Sequence, residues 1–537
     1  MNEADATMDW TPFPVGYGIL LNERYQFPMD MALVRMKLDT SRQLFVDNHM
    51  IAHMQGLTRE THSTWEHPAN PVFAPHDNYA SSICIDPEHG YRLYYNGPQR
   101  GDSWPLQVAY SSDGVNWDLP QLSVFDDFDG SSSSNNIISE TGGLSGLFFE
   151  PDDPDPERRW KAIFRPIKQR PFRHPIPWLH SKLPAGEGIG VPYELHVSPD
   201  GYRWTFEAET NHWKGPSDVW GQYQDISDFP LLGGGDVFRA RWDPKLGKYI
   251  GNTKHYIGPD RRMSPIYRAA RVVGQIESDD LVHWSAPRIY AYPDGEDANV
   301  PRNGMQGIYE ADGYPYESMW LNNFSMSSVT PFSKEEIREK DLARPYVKNN
   351  WIRLAASRDG RHWYYFGDRK PFIPLGPEGS WKPGYIRAIN LINIGGPIIK
   401  DDELWYYHRG QSIDGPKSTW QSSTGIAILR RDGFASLNAD EDGGLVFTRP
   451  FVFEGKGRLY VNAEVSAGGY VRAAMVNEDT AEELVDFTVE DSVAVTGDST
   501  RAPVRWREHE SLGQFKSHYV RLAFHIKSAK LYSFWIE

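Results

Sequence analysis

The sequence predicts an all-β protein, a five-bladed β-propeller followed by a C-terminal β-sandwich, and three observations carry that prediction. A box close to Ser111–Trp117 (SSDGVNW) returns at Ser198–Trp204 (SPDGYRW), Ser278–Trp284 (SDDLVHW) and Ser357–Trp363 (SRDGRHW), and in worn form at Arg431–Phe434 (RDGF). The copies follow one another at intervals of about 70 to 90 residues, the length of a four-stranded sheet with loop insertions. A second turn with strand-like flanks stands upstream of every copy, at 86–97, 154–165, 243–254, 312–323 and 400–410. Two turns per unit in fixed order make the up-and-down meander of a blade, and five copies make five blades.

In four of the five boxes, all but Ser278–Trp284, Asp-Gly reads as a hairpin turn, because glycine takes the positive φ of a tight turn and aspartate can bond the turn backbone. The tryptophan that follows is placed to cover the apolar side of the hairpin.

Taken in order, residues 1–55 form an N-terminal extension to the propeller. In it, Gln43–Asp47 (QLFVD) is a strand expected to close the ring by joining the last blade, since an open seam would expose strand edges. The blades fall at about 70–122, 137–209, 231–291, 300–366 and 387–437. Blade two carries a basic, proline-rich insertion at 168–183, a length typical of pocket walls or subunit contacts. Ser333 to Leu342 is the one convincing helix, with Ser333 and Glu336 spaced as a capping box. The propeller thus occupies 1–437, and the short alternating runs of 438–537 form the sandwich.

Composition narrows the function classes. A formal charge of −16 argues against a nucleic-acid partner, which needs clustered Lys and Arg. Cys84 is the only cysteine, so neither an intrachain disulfide nor a cysteine-rich metal site is expected. Met1 to Trp10 has no basic and apolar leader pattern, and no run reaches the length of a membrane helix, so the expectation is a cytoplasmic protein without a membrane partner. A homo-oligomer is left open. The aromatic content of 13%, with 19 Trp and 28 Tyr, suits β-structure and also stacking on sugars. Phosphate-loop, His-Glu-x-x-His and Gly-x-Ser-x-Gly patterns are absent.

In a propeller the inner strand of each blade lines the axis, and its start presents a side chain to a common funnel. Blade one offers Asp77, blade two Glu140, blade three Asp236, blade four Arg302 with Asn303, and blade five Arg387 with Asn390. Three carboxylates at equivalent places suit glycosidic bond cleavage. One protonates the leaving oxygen, another attacks the anomeric carbon or activates water, and a third holds hydroxyls and tunes the acid. The arginines would orient substrate. Glu317 is a reserve acid, whereas Glu310 reads as a turn residue. Trp104, Trp220, Trp320 and Trp381 stand where a sugar platform could lie, Trp320 closest to Glu317.

The chain resembles the five-bladed propeller glycoside hydrolases, the invertase and inulinase group (family 32) and the arabinanase and xylosidase group (family 43), and most closely bacterial family 32-like proteins. The residues that carry the resemblance are 42–47 (RQLFVD) with 56–59 (GLTR), 67–72 (HPANPV), 429–438 (LRRDGFASLN), and 519–522 (YVRL) with 531–534 (LYSF). The resemblance implies a propeller followed by a β-sandwich, with Asp77 as nucleophile or base, Glu140 as transition-state stabiliser and Asp236 as general acid. The Asn-Asp-Pro-Asn, Arg-Asp-Pro and Glu-Cys signatures of invertases are not present, so the sugar is left open. The expected activity is hydrolysis of a small glycoside or oligosaccharide, a furanoside such as a fructoside or arabinoside, with no cofactor and no catalytic metal. The alternatives are a phosphorylase on the same fold, which would need a cationic cluster beside the acids, and a non-catalytic sugar-binding propeller.

Overall fold

The computed structural model describes residues 21–22, 35–74, 79–97, 105–124, 135–139, 143–165, 193–210, 237–257, 270–285, 287–293, 297, 305–331, 333–339, 346–367, 369–377, 379–382, 385–388, 396–412 and 421–537. Within them, five blades of antiparallel strands follow one another along the chain, and a parallel pairing of Asn350 with Tyr385 joins blades four and five into one sheet. Blade one consists of Tyr79–Asp86, Gly90–Asn96, Leu106–Ser111 and Ile137–Ser139; blade two of Gly143–Phe149, Trp160–Arg165, Tyr193–Ser198 and Thr205–Thr210. Blade three consists of Phe238–Asp243, Lys248–Ile257, Ala270–Ser278 and Arg288–Ala291; blade four of Met305–Tyr316, Met319–Pro331, Tyr346–Ser357 and Tyr364–Tyr365. In blade five the inner strand comes in two pieces, Tyr385–Ala388 and Ile398–Lys400, which both pair with Glu403–Ser412; Gln421–Arg430 is the third strand.

Five apolar seams, one between each pair of neighbouring blades, show that the ring is closed. Cys84 and Val108 of blade one meet Leu147 and Phe164 of blade two; Phe148 and Leu195 meet Phe238 and Ile276 of blade three. Val273 and Tyr290 meet Phe324 and Met326 of blade four, Leu321 and Ile352 meet Leu404 and Tyr406 of blade five, and Trp405 and Ile426 return to Ile83 and Leu93 of blade one. The boxes serve these seams. Trp117, Trp204, Trp284, Trp363 and, from the worn copy, Phe434 each pack into the seam with the preceding blade.

Four boxes share one hydrogen-bond pattern, local enough to be written in seven residues. Ser111, Ser198, Ser278 and Ser357 Oγ accept the backbone N–H three residues on, at 2.8–2.9 Å. The carboxylates of Asp113, Asp200, Asp280 and Asp359 each accept two successive backbone amides, at 2.7–2.9 Å.

The strand that closes the ring is not the expected one. Trp65–Glu66 pairs antiparallel with Gln421–Arg430 and supplies the outer strand of blade five. Gln43–Leu44 pairs instead with Val520–Ile536 in a second β unit. That unit also takes Met36–Leu38 against Phe451–Phe453, Ile51–Gln55 against Gly444–Thr448 and Thr58–Thr61 against Ala435–Ala439. Its framework is the long antiparallel pair Leu459–Asn477 and Val520–Ile536, and Phe45, Val461, Trp506 and Phe534 share its core. Leu21–Asn22 lies parallel to Tyr364–Tyr365 of blade four, so the chain touches the propeller first, passes through the C-terminal unit over residues 36–61, and then returns to the propeller. The helix Lys334–Glu339 lies inside its expected span, capped reciprocally by Ser333 and Glu336. Among the described residues no helix is long and apolar enough to cross a membrane.

Two buried carboxylates join the unit to the propeller. Asp432, in the worn box, is fully buried; it accepts from Arg42 Nη1 (2.7 Å), Tyr316 OH (2.8 Å), Ser533 Oγ (2.6 Å) and Asn462 Nδ2 (3.2 Å). Asp47 accepts from Arg358 Nη2 (2.7 Å) and Nε (3.0 Å), and from Tyr364 OH.

Candidate functional site

Antiparallel pairing sorts the two ends of every blade. The start of the inner strand, the end of the second and the start of the third fall on one face of the propeller, the funnel side. The boxes and the first turns fall on the opposite face. This sorting removes two candidates from the funnel. Glu317 sits in the first turn of blade four at φ 48°, accepts the Arg42 N–H (3.1 Å) and lies 3.6 Å from Arg431 Nη2. Trp320, 9% exposed, donates its Nε1–H to Asp243 Oδ2 (2.9 Å) beneath Lys245, whose ammonium lies 4.9 Å from its ring centroid. Glu317 serves the junction with the second unit, and Trp320 the base of the seam between blades three and four.

Asp77, Glu140, Asp236, Arg302, Asn303 and Asn390 lie outside the described residues, as do Trp104 and Trp220. The inner strands they precede in sequence begin at Tyr79, Gly143, Phe238, Met305 and Ile398. Arg387 falls in the first piece of the inner strand of blade five, in register with Arg409. Trp381 fills space in blade five: its ring packs on His408 at 5.3 Å, against Gly410 and Gly425. His408 is enclosed there, and burial pushes its imidazole down to about 3.

The described residues bring together a charged cluster on the inner strands of blades three and four. Along Phe238–Asp243 the period of two turns Phe238 and Ala240 into the seam with blade two and leaves Arg239 and Arg241 on the other side. Arg239 donates to the Leu144 carbonyl (3.3 Å) and lies 3.8 Å from Glu310 Oε2, so it links the inner strands of three blades. Arg241 donates to Asp243 Oδ2 (2.9 Å). Burial pushes the Asp312 carboxyl up to about 6; Arg241 and Arg239 pull it down, and Glu310 adds to the rise. Farther toward the funnel, Lys254 and Arg271 converge on the ring of Tyr309.

Glu310 is thus not a turn residue. It is 7% exposed and pairs across the sheet with Ser325. The Asp312-Gly313 step imitates a hairpin turn, but the chain runs straight through it and turns at Glu317. Gly313 has a different reason to be glycine: a Cβ there would meet Asn322 Nδ2 at 2.9 Å and the Trp363 ring at 3.1 Å. The alternation of charge at 239, 241 and 243, and again at 310 and 312, was the available signal for this cluster.

The raised Asp312 carboxyl has a measurable sign. Its folded value of about 6 exceeds the ordinary carboxylate value near 3.9, so the folded state loses stability as pH rises between the two. Asp312→Asn is expected to be more stable than the parent by about 1–3 kcal/mol at pH 8, and level with it at pH 4. Urea titrations at the two pH values check this, and an equal difference at both would count against a raised value.

Among the described residues, no group of His, Cys, Asp and Glu is arranged to hold a metal ion. No family model matches the chain, and no curated protein matches it. Solved structures similar to it include an N-acetylgalactosamine deacetylase from F. plautii in complex with blood group B trisaccharide. That match has 14% identity and TM-score 0.38, and covers 71% of this chain and 97% of that one. The GH32 β-fructofuranosidase of Bombyx mori is 10% identical, with TM-score 0.36, over 87% of this chain and 94% of that one. The β-1,2-mannobiose phosphorylase of Listeria innocua is 12% identical, with TM-score 0.25, over 69% and 80%. The fold itself stands on the five blades and five closed seams.

Proposed function

We propose that the protein is a glycoside hydrolase that cleaves a small glycoside or oligosaccharide, with a furanoside such as a fructoside or arabinoside the preferred substrate. One observation carries this reading: the inner strands of blades one, two and three begin at Tyr79, Gly143 and Phe238, and each is closely preceded in sequence by a carboxylate, Asp77, Glu140 or Asp236. Strand starts of this kind open on the funnel of a propeller. Three acids there supply a base or nucleophile, a proton donor and a hydroxyl-holding group, which are the groups that glycosidic cleavage requires.

The test is hydrolysis of a panel of aryl furanosides, aryl pyranosides and natural oligosaccharides, with and without phosphate. Turnover is expected for the wild type, with large loss in folded Asp77→Asn and Asp236→Asn. Turnover that survives in both variants would remove the acids from the chemistry. Cleavage that depends on phosphate would make the enzyme a phosphorylase, and an inert panel would favour a sugar-binding protein.

A further inference from the structure

We propose that the funnel end of the seam between blades three and four is a binding site for a compact oxyanion, either the carboxylate of an acidic sugar or a phosphate. The inference deepens the preceding reading, on which it rests for the carbohydrate nature of the substrate; the affinity for an anion does not depend on it.

Arg271 starts this argument. It stands at the beginning of the third strand of blade three and is 8% exposed. Its Nη1 reaches Ser327 Oγ at 3.3 Å, its Nε has no partner, and no carboxylate faces it among the described residues. The neighbouring arginines are different: Arg239 has Glu310, and Arg241 has Asp243. A guanidinium withdrawn from water without a counter-charge is costly, so a site that keeps one is built for an anion that arrives from outside.

A second cation is brought to the same place. Lys254, 2% exposed, holds its ammonium 4.4 Å from the ring centroid of Tyr309, and the Arg271 guanidinium lies 5.6 Å from that centroid. The backbone of blade four makes room for this arrangement. A Cβ on Gly307 would lie 3.0 Å from both Cβ and N of Arg271, so glycine lets the inner strand run against Arg271 where a larger residue would push it away. Ser327, which receives the guanidinium, is the cross-strand partner of Gly307. The position is also on the substrate side. Lys254 lies toward the end of the second strand, Arg271 starts the third, and Gly307 lies near the start of the inner strand of the next blade. A planar carboxylate or a tetrahedral phosphate would bridge the ammonium and the guanidinium, as such oxyanions do with paired cations.

The experiment is ligand titration of the full chain in a buffer free of phosphate and sulfate, read by thermal shift and calorimetry. The probes are inorganic phosphate, glucuronate and galacturonate, with glucose as the neutral control. Saturable stabilisation by at least one anion is expected, absent with glucose, with affinity lowered about tenfold or more in Arg271→Gln and in Lys254→Gln. Should Arg271→Gln not fold, Ser327→Ala reads the same guanidinium through a smaller loss of affinity. A response to phosphate alone assigns the site to free phosphate, and a response to the uronates alone assigns it to the carboxylate of the substrate. No saturable response to any anion, or equal responses in wild type and variants, overturns the proposal. Failure of the hydrolase reading would show separately, as an inert glycoside panel with anion binding intact.

Discussion

Asp432→Ala is expected to destabilise the protein by about 3–5 kcal/mol, because it strands a buried guanidinium and three polar groups in one step. The carboxylate is fully buried and holds Arg42, Tyr316, Ser533 and Asn462 at 2.6–3.2 Å. Arg42 has other attachments, the Thr500 carbonyl at 3.0 Å, the face of Trp535 at 3.8 Å and Glu317 Oε1 at 4.0 Å from its Nε, but the last is too distant to replace the 2.7 Å pair with Asp432. Asp432→Asn keeps the shape and loses the charge, so it should recover only part of the difference. Since the four partners come from the N-terminal segment, blade four and the C-terminal unit, the loss should lower the midpoint of the whole unfolding transition. Equilibrium urea unfolding of both variants measures this. A loss below about 1 kcal/mol would mean that solvent replaces the carboxylate at the junction.

Asp47→Asn is expected to cost a similar ~3–5 kcal/mol at neutral pH and to flatten the acid limb of the stability curve. Burial pushes the Asp47 carboxyl up, but the charge and hydrogen bonds of Arg358 outweigh it, with smaller help from His49 and Tyr364, and hold it well below the ordinary range. A depressed carboxylate contributes stability that is present above its unfolded value near 3.9 and lost as pH falls below it. His49 acts in the window above. Burial and the Arg358 charge push its imidazole down to about 4, against a smaller upward pull from Asp47, so the folded state keeps it neutral where the unfolded chain binds a proton. Stability is therefore lost first between about pH 6.5 and 4 through His49, and then below pH 4 through Asp47. Unfolding midpoints from pH 7 to pH 3 would resolve the two steps. In Asp47→Asn the lower step should shrink to what other depressed carboxylates such as Asp113 and Asp359 contribute, and a curve parallel to the wild type would exclude Asp47 as a source.

These two carboxylates mark the limit of what was legible in the chain. The box Ser-x-Asp-Gly was readable because its hydrogen bonds close within a few residues, from Ser111 Oγ to the Gly114 N–H and from Asp113 to Val115 and Asn116. The stretch 312–323 does hold the turn of blade four, at Glu317, but Glu310 reads as a turn residue and lies in the inner strand instead. The same reading put Glu317 and Trp320 in the funnel, because a carboxylate and a tryptophan near a strand end look the same at either end of a blade. It passed over Arg271 and Lys254, whose partners lie on another blade.

The sequence by itself determined the class of fold, the number of blades and the chemistry of the repeated turn. Each of these rests on interactions between residues close in the chain, repeated until the period is unmistakable. Only the tertiary structure decided which strand closes the ring, where the worn fifth box sends its aspartate, and that Arg271 meets Ser327 and no carboxylate among the described residues. Trp65–Glu66 completes blade five because Gln421–Arg430, its third strand, has an outer edge to pair, while Gln43–Leu44 finds its partner in Val520–Ile536. A two-residue strand carries too little pattern of its own to name its partner, so its place is set by the edges and charges that remain once everything local has folded.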